Sequence, residues 1–275
     1  MKQAVIIGDG VSKGARSPVL WNACFSHFGI DGEMIAIDVN SDDELKSFFS
    51  EFLPKKDFIG GAVAAPLKQH VTDYFNELQN SNFDMPTNCF FRKSENSNFN
   101  CLNTDVLAAV NSIESKIDLE KVQSMAILGD GSVGLSIGNY FRDHNFKKAI
   151  YSRSPAKNSI RGFETLSYKD LSSNFNSYEL VINCTSVGKD GSDNESIISR
   201  DLLNANASNN LFIYDVNYIN SPNQLLRFCK ELDIKHEDGS KMNIMQAVIA
   251  FSKALDMDNS SDEILDVMKN AVLNS

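Results

Sequence analysis

No apolar run in this 275-residue chain approaches the ~20 residues needed to cross a bilayer, so a transmembrane helix is excluded. A secretory h-region is missing too: Met1-Lys2-Gln3 leads directly into a short strand pattern, and the expected location is cytoplasmic. Positive charge is scarce. Lys and Arg number 26 against 36 Asp and Glu, a formal charge of -10, and without a basic face the chain is not expected to bind nucleic acid. The five cysteines, Cys24, Cys89, Cys101, Cys184 and Cys229, form no C-x-x-C and no metal-like pairing with His27, His70, His144 or His236, so no metal is expected. Cys89 and Cys101 flank a polar turn and could face each other across a hairpin, but reduced thiols are expected in a chain without a signal peptide. Internal repeats and low-complexity segments are absent.

What is present is a 42% apolar content over a length that suits one large or two ordinary domains. The first hundred residues alternate apolar runs with helical patterns: Ala4 to Ile7, Pro18 to Phe28, Met34 to Ile37, Glu44 to Phe52, Phe58 to Val63. This βαβα order predicts a largely parallel sheet. Lys93 to Asn98 reads as a hairpin turn between Asn88 to Arg92 and Phe99 to Leu102. From Thr104 a helix with Val106, Leu107, Val110 and Ile113 on one face bridges to a second domain. Strands are expected there at Met125 to Leu128, Ala149 to Tyr151, Leu180 to Asn183 and Leu211 to Tyr214, in a doubly wound arrangement. Helices over Met242 to Ala254 and Asp262 to Val272 then return to the first domain. The expected fold class is α/β in two domains: residues 1–105 with 238–275 form a substrate-binding domain on a parallel-rich sheet, and residues 106–237 a Rossmann dinucleotide-binding domain.

The most informative stretch is Ala126-Ile127-Leu128-Gly129-Asp130-Gly131-Ser132-Val133-Gly134, an apolar run ending in G-x-G-x-x-G and opening a helical pattern. Gly129 permits the tight turn, Gly131 lets backbone approach a pyrophosphate, and Gly134 lets helix pack on strand, with Ser132 and Val133 at the helix N-terminus. The next strand ends at Ser152-Arg153-Ser154-Pro155-Ala156-Lys157, where an NAD site usually carries an acid. Arg153 and Lys157 stand there instead, either as partners for the 2′-phosphate of NADP or as solvated loop cations. An earlier Ile6-Ile7-Gly8-Asp9-Gly10 mimics the glycine turn but has Lys13 where the third glycine belongs, so it reads as a plain strand exit.

Two strand-end elements of the first domain carry reactive groups: Pro66-Leu67-Lys68-Gln69 and Asn103-Thr104-Asp105. A nicotinamide enzyme needs a group that gives and takes the alcohol proton, and a lysine steadied by a carboxylate serves. The alternatives are a surface lysine and an N-cap cluster.

At these residues the chain resembles the shikimate and quinate dehydrogenases, over essentially its whole length. The family's S-x-S-P-x-x-H-N-x-x-F is similar to Ala15 through Phe25, its N-V-T-x-P-x-K to Ala62 through Lys68, and its N-T-D to Asn103-Thr104-Asp105. Its N-R-T-x-x-[RK] resembles Ser152 through Lys157, its N-[AC]-T-x-x-G resembles Asn183 through Gly188, and D-x-x-Y and G-x-x-M-x-x-x-Q resemble Asp215 through Tyr218 and Gly239 through Gln246. The resemblance implies an NADP-dependent dehydrogenase of aromatic amino acid biosynthesis, working on a small molecule as a monomer or homodimer. It implies Lys68 and Asp105 as the catalytic pair, with Ser17, Asn88, Asn103, Tyr218 and Gln246 in the substrate pocket. Thr185, Ser186, Gly239 and Met242 are implied around the nicotinamide, and Ser152, Arg153, Ser154 and Lys157 at the adenosine end.

The departures bear on substrate. Ala15 replaces the first serine of S-x-S, Ala62 and Ala64 replace the asparagine and threonine of N-V-T, and Trp21 replaces the histidine. Of the hydroxyls the family turns toward a substrate carboxylate only Ser17 remains, and Ser17 also reads as an N-cap before Pro18. In an extended segment Arg16 would point away from Ser17. A divergent relative acting on quinate, an amino-shikimate or another polyol is the alternative, as is a non-catalytic NADP-binding sensor; a folate-type dehydrogenase of similar shape fits the N-T-D and M-x-x-x-Q patterns less well.

Overall fold

The computed structural model describes residues 1–155, 159–188, 194–207, 210–217 and 222–273, so Lys157 and Tyr218 lie outside the described residues. The chain divides into two compact units, Met1–Asp105 with Ile244–Ser275, and Val106–Asn243. The second crossing falls inside a helix, Ser240–Leu255, whereas the sequence puts it at 237/238, ahead of that helix. The apolar pattern marks where a helix starts, not which turn of it packs on which core.

In the first unit the strands are β1 (Lys2–Gly8), β2 (Gly32–Asp38), β3 (Phe58–Val63), β4 (Cys89–Phe91) and β5 (Asn100–Leu102). Between them lie α1 (Ser17–His27), α2 (Asp42–Phe52) and α3 (Lys68–Gln79), and α4 (Thr104–Glu114) leads out. The sheet order is β2-β1-β3-β4-β5. β1 is parallel to β2 and β3, and the β4–β5 hairpin is antiparallel to β3. Side chains alternate between faces along a strand. Ala4 and Ile6 therefore face one core with Trp21, Phe25 and Phe251, while Val5 and Ile7 face another with Phe49, Val71 and Phe75. α2 opens where Ser41 accepts the Glu44 N–H and Asp42, Asp43 and Glu44 fill the first turn, the charge a helix N-terminus favours. β3 crosses β1 at Gly60-Gly61 because a Cβ on Gly61 would lie 1.8 Å from the Val5 carbonyl oxygen.

The hairpin keeps Cys89 and Cys101 from facing each other. Cys89 pairs with Leu102 and Cys101 with Phe90, so the two thiols are one residue out of register and enter opposite cores. Both are free. The Gly8-Asp9-Gly10 exit leads into a short turn over Val11–Lys13, whose Ser12 N–H and hydroxyl are held by Asp38.

The second unit holds β6 (Ser124–Leu128), β7 (Lys147–Ser152), β8 (Glu164–Ser167), β9 (Leu180–Asn183), β10 (Phe212–Asp215) and β11 (Lys235–Asp238). Its helices are α5 (Ser132–Phe141), α6 (Leu171–Asn174), α7 (Arg200–Asn204) and α8 (Gln224–Glu231); α9 (Ser240–Leu255) carries the chain back and α10 (Ser261–Leu273) follows in the first unit. The order β11-β10-β9-β6-β7-β8, all parallel, is the doubly wound arrangement, with its switch point between β6 and β9. Six strands stand where the sequence shows four. Glu164-Thr165-Leu166-Ser167 and Lys235-His236-Glu237-Asp238 form the two edges, only half-buried, so they carry no apolar run to mark them. Glu237 receives Lys116 at 2.8 Å and Lys241 at 3.2 Å, which holds this edge strand to the end of α4 and the start of α9.

Phe75 is fully buried among Phe49, Phe90 and Phe99, with ring centroids at 5.1, 5.5 and 5.3 Å. Phe75→Ala should cost the first unit about 3–5 kcal/mol. Trp21, the single tryptophan, is 1% exposed on the other face of the same sheet, so its fluorescence in a urea titration reads this loss directly. A change below about 1 kcal/mol would mean that the ring cluster closes over the void.

Candidate active site

β3 hands the chain to α3 through Ala64 to Leu67, with the Ala64 N–H bonded to the Ile7 carbonyl at 2.8 Å and a cis peptide at Ala65-Pro66. Lys68 is the first residue of α3, and its carbonyl is held by the Thr87 N–H and the Thr72 hydroxyl. Asp105 lies in the first turn of α4, where a carboxylate is favoured by the helix dipole. Lys68 Nζ donates to Asp105 Oδ2 at 2.6 Å. The side chains keep 20% and 19% of their exposure, so the pair is fixed but still in reach of solvent and small molecules. One of the three ammonium N–H groups is committed to Asp105, which orients the others.

Asn88 and Asn103 build the frame around this pair. Asn88 Oδ1 accepts the Thr104 N–H at 2.6 Å and its Nδ2 donates to the Thr104 hydroxyl at 2.9 Å, which anchors the start of α4 immediately before Asp105. Asn103 Nδ2 donates to the Pro86 carbonyl at 2.8 Å. Ser17 is the first residue of α1 and makes no capping bond; the cap position is Arg16, with φ -76° and ψ -24°. Two expectations are thereby corrected. Ser17 is not the N-cap, and Arg16 is helical rather than extended, so the opposite-face argument for its side chain does not apply. Gln246 is on α9, beside Ile244 and Met245, which pack on the same apolar cluster as Ala15, Ala64 and Leu102.

In the second unit β6 is followed by Gly129, whose φ of +106° a side chain would resist. Gly131 caps α5 without a side-chain capping bond, and a helix start of this kind offers first-turn N–H groups, here at Ser132 and Val133, to an anion. The three glycines differ in what requires them. A Cβ on Gly134 would lie 2.0 Å from the Gly129 carbonyl oxygen, whereas one on Gly131 would meet nothing within 4 Å. The open space at Gly131 beside an uncapped helix start fits the pyrophosphate of a dinucleotide.

β7 ends at buried Ser152, whose Oγ accepts the Ser154 N–H at 3.0 Å, and Arg153 projects exposed from this turn. Tyr168, at the exit of β8, lies in the field of Arg153 and Asp130; burial pushes its hydroxyl up to about 12. Thr185 is locked to Asn183 Oδ1 through its N–H at 3.1 Å and its hydroxyl at 2.7 Å, and Ser186 is exposed beside it. Gly239 is pressed on the Val216 carbonyl, where a Cβ would sit 2.1 Å away, and Met242 packs on the core next to it. Among the described residues no group of His, Cys, Asp and Glu is arranged to hold a metal ion, and no helix is long and apolar enough to cross a membrane.

Residues 6–84 match the sequence profile of the shikimate dehydrogenase substrate binding domain. Proteins named shikimate dehydrogenase (NADP(+)) from Prochlorococcus marinus and Caldicellulosiruptor saccharolyticus are 26% and 25% identical, the alignments covering 90% and 98% of this chain and 89% and 98% of theirs. The chain is thus similar to the shikimate dehydrogenases over nearly its whole length. Its fold is shared with the shikimate 5-dehydrogenase of Listeria monocytogenes, solved in complex with shikimate and NAD, at a TM-score of 0.79 and 19% identity over 98% of this chain and 96% of that one.

Within the family frame, the departures fall in two different surroundings. Trp21 is core, edge-on to Phe251 at 5.2 Å and Phe25 at 6.2 Å, and Ala62 is buried in β3. Ala15 and Ala64 are only partly buried, at the carboxyl edge of β1 and β3, where they present methyl groups in place of hydroxyls. The sequence marked Asn183 and Asp215 as motif positions at strand ends but not their meeting, nor the part of Asn217 and Asn223, since Asn in a loop reads as turn chemistry.

The glycine geometry separates folding from binding. Gly134→Ala should destabilise the second unit by about 1–3 kcal/mol through overpacking, whereas Gly131→Ala should leave thermal unfolding unchanged and weaken dinucleotide binding. Circular dichroism melts with a dinucleotide titration read both, and an unstable Gly131→Ala variant would refute the assignment.

Proposed function

We propose that this protein is an NADP-dependent oxidoreductase of the shikimate dehydrogenase type, interconverting a ring hydroxyl of shikimate or a close cyclic hydroxy-acid analogue and the corresponding ketone. The observation that carries this reading is the 2.6 Å Lys68–Asp105 pair at the carboxyl edge of the first unit's sheet, in a chain whose relatives are named shikimate dehydrogenase (NADP(+)). NADP, when bound, supplies or receives the hydride. Lys68 gives a proton to the substrate oxygen as the ketone is reduced and takes it back in the reverse direction, and Asp105 keeps its side chain aimed. Ser17, Asn88, Asn103, Tyr218 and Gln246 are the proposed substrate groups. Gly129, Gly131, Ser132, Val133 and Gly134 are proposed to hold the pyrophosphate, and Thr185, Ser186, Gly239 and Met242 the nicotinamide. Ser152, Arg153, Ser154 and Lys157 are proposed at the adenosine end, where Arg153 and the absence of an acid support NADP over NAD. The enzyme would work in the cytoplasm, as a monomer or homodimer, in aromatic amino acid biosynthesis.

A retained ion pair argues against a sensor that has lost turnover. A lysine ammonium held at 2.6 Å in a half-open position is a proton donor, and a binding module has no use for one. Ala15 and Ala64 offer no side-chain hydroxyl to a substrate carboxylate, so shikimate should be a poor substrate, and a divergent relative acting on quinate, an amino-shikimate or another polyol is the alternative reading.

The deciding assay mixes the protein with shikimate, quinate and amino-shikimate, each with NADP and NAD, and follows reduced-cofactor absorbance. Lys68→Met should abolish turnover on the best substrate while cofactor binding persists; near-wild-type turnover would refute the mechanism. Restoring the hydroxyls tests the pocket. Two hydrogen bonds to a charged group are worth roughly 1.5–3 kcal/mol each, so allowing for imperfect geometry the Ala15→Ser, Ala64→Thr double variant should gain at least about tenfold in kcat/KM for shikimate. High wild-type efficiency on shikimate with no gain would show that the carboxylate is held by another group.

A further inference from the structure

Asp215 ends β10 with its side chain fully buried, and among the described residues the hydrogen-bond donors to its carboxylate are amides. Oδ2 accepts Asn183 Nδ2 at 3.1 Å and Asn223 Nδ2 at 2.9 Å, and Oδ1 accepts the Asn217 backbone N–H at 2.9 Å. Burial raises the carboxyl above the ordinary carboxylate range, against the pull of these hydrogen bonds. A buried carboxylate without a cation is an expensive way to hold three donors.

The donors explain why nothing else fits. Asn183 cannot turn its amide, since its Oδ1 accepts the Thr185 N–H and hydroxyl. Asn223 cannot either, since its Oδ1 accepts the Leu226 N–H at 3.1 Å and caps α8. The Asn217 donor is backbone. Both oxygens at position 215 must therefore accept, and only an ionised carboxylate accepts on both; an amide there would set one N–H against another.

Two loops hang from this group. Through Asn183 it fixes Thr185, whose hydroxyl in turn accepts the Val187 N–H at 3.2 Å. Through Asn217, whose Nδ2 donates to the Thr185 carbonyl at 2.9 Å and the Val187 carbonyl at 3.3 Å, it ties the loop after β9 to the loop after β10. The Asn217 carbonyl receives the Gly239 N–H at 3.1 Å, and Asn223 lies against Gly188, where a Cβ would be 2.6 Å from its Nδ2. Thr185 and Gly239, two residues proposed to hold the nicotinamide, thus share one buried anchor. Ser152 and Ser154 bond to each other, with no hydrogen bond to it.

We propose that Asp215 is the positioning residue for the nicotinamide half of the dinucleotide site, acting through Asn183, Asn217 and Asn223; this rests on the NADP reading given above. The test compares NADPH with 2′-phospho-ADP-ribose, which carries the adenosine 2′-phosphate and pyrophosphate but no nicotinamide, by titration calorimetry on the full chain. Asp215→Asn should weaken NADPH about ten- to a hundredfold, the size of a lost charged hydrogen bond, and leave 2′-phospho-ADP-ribose within about threefold. Asn217→Ala, which keeps the carboxylate and removes only the side-chain tie, should move the two ligands apart in the same direction by a smaller factor. It decides the matter if Asp215→Asn does not fold. Equal losses for both ligands, or no loss for either, would overturn the proposal. Failure of the wild-type chain to bind either ligand would overturn the NADP reading itself, and the proposal with it.

Discussion

Parallel strands must all leave a sheet by the same edge, and the chemistry of this protein collects there. In the first unit β1 and β3 deliver the segments that carry Ala15, Ala64 and Lys68. The antiparallel hairpin serves the same edge by its own logic. β4 runs against β3, so Asn88 enters where β3 leaves, and β5 runs back, so Asn103, Thr104 and Asp105 follow its end. In the second unit β6, β9 and β10 send out Gly129 to Gly134, Thr185 to Gly188, and Val216-Asn217. Two sheets of different order thus solve one problem in the same way, each gathering helix starts and strand exits at the carboxyl edge of its parallel strands.

The charged groups divide by how their hydrogen-bonding capacity is used. Arg92 and Lys148 are buried cations, but their donors go to backbone carbonyls: Leu53, Lys55, Phe58 and Glu95 for Arg92, Arg142 and His144 for Lys148. They sit near the ends of α2 and α5, where carbonyls lack helical partners, and they serve the fold. Asp215 is spent on amides in the same way, but the amides belong to loops that carry exposed candidate ligands. Lys68 and Asp105 are a half-buried pair that spends its capacity on itself while remaining open to solvent. That combination suits proton exchange, which needs a fixed direction and an accessible atom.

A chain about 25% identical to its relatives and 19% identical to a solved structure of the same fold keeps that fold because the constraints on a core are volume and pattern, whereas those on a pocket are individual atoms. Trp21 and Ala62 illustrate the first case, exchanged within a packed core. Ala15 and Ala64 illustrate the second. Each stands where the shikimate dehydrogenase pattern carries a hydroxyl, and each packs against the core of the first unit without disturbing the sheet beneath.

Residue order alone determined the strands at β6, β7, β9 and β10, the glycine turn, the hairpin and the chemical types at 68 and 105. These are marked by near neighbours, through apolar runs and turn residues whose preferences act over a few positions. The edge strands β8 and β11 were not legible, because only a neighbour's backbone makes Glu164 to Ser167 or Lys235 to Asp238 extended. Helical Arg16 and uncapped Ser17 depend on the turn before α1, and the split of Cys89 from Cys101 depends on a one-residue choice of register. Lys68 meets Asp105 across 37 residues only after β4 and β5 have returned the chain to the edge of β3. Asp215 meets Asn183 because they are register partners on adjacent parallel strands, 32 residues apart. Side-chain type is written locally, but whether two polar groups face each other is set by strand register, and register is fixed by the burial of whole faces.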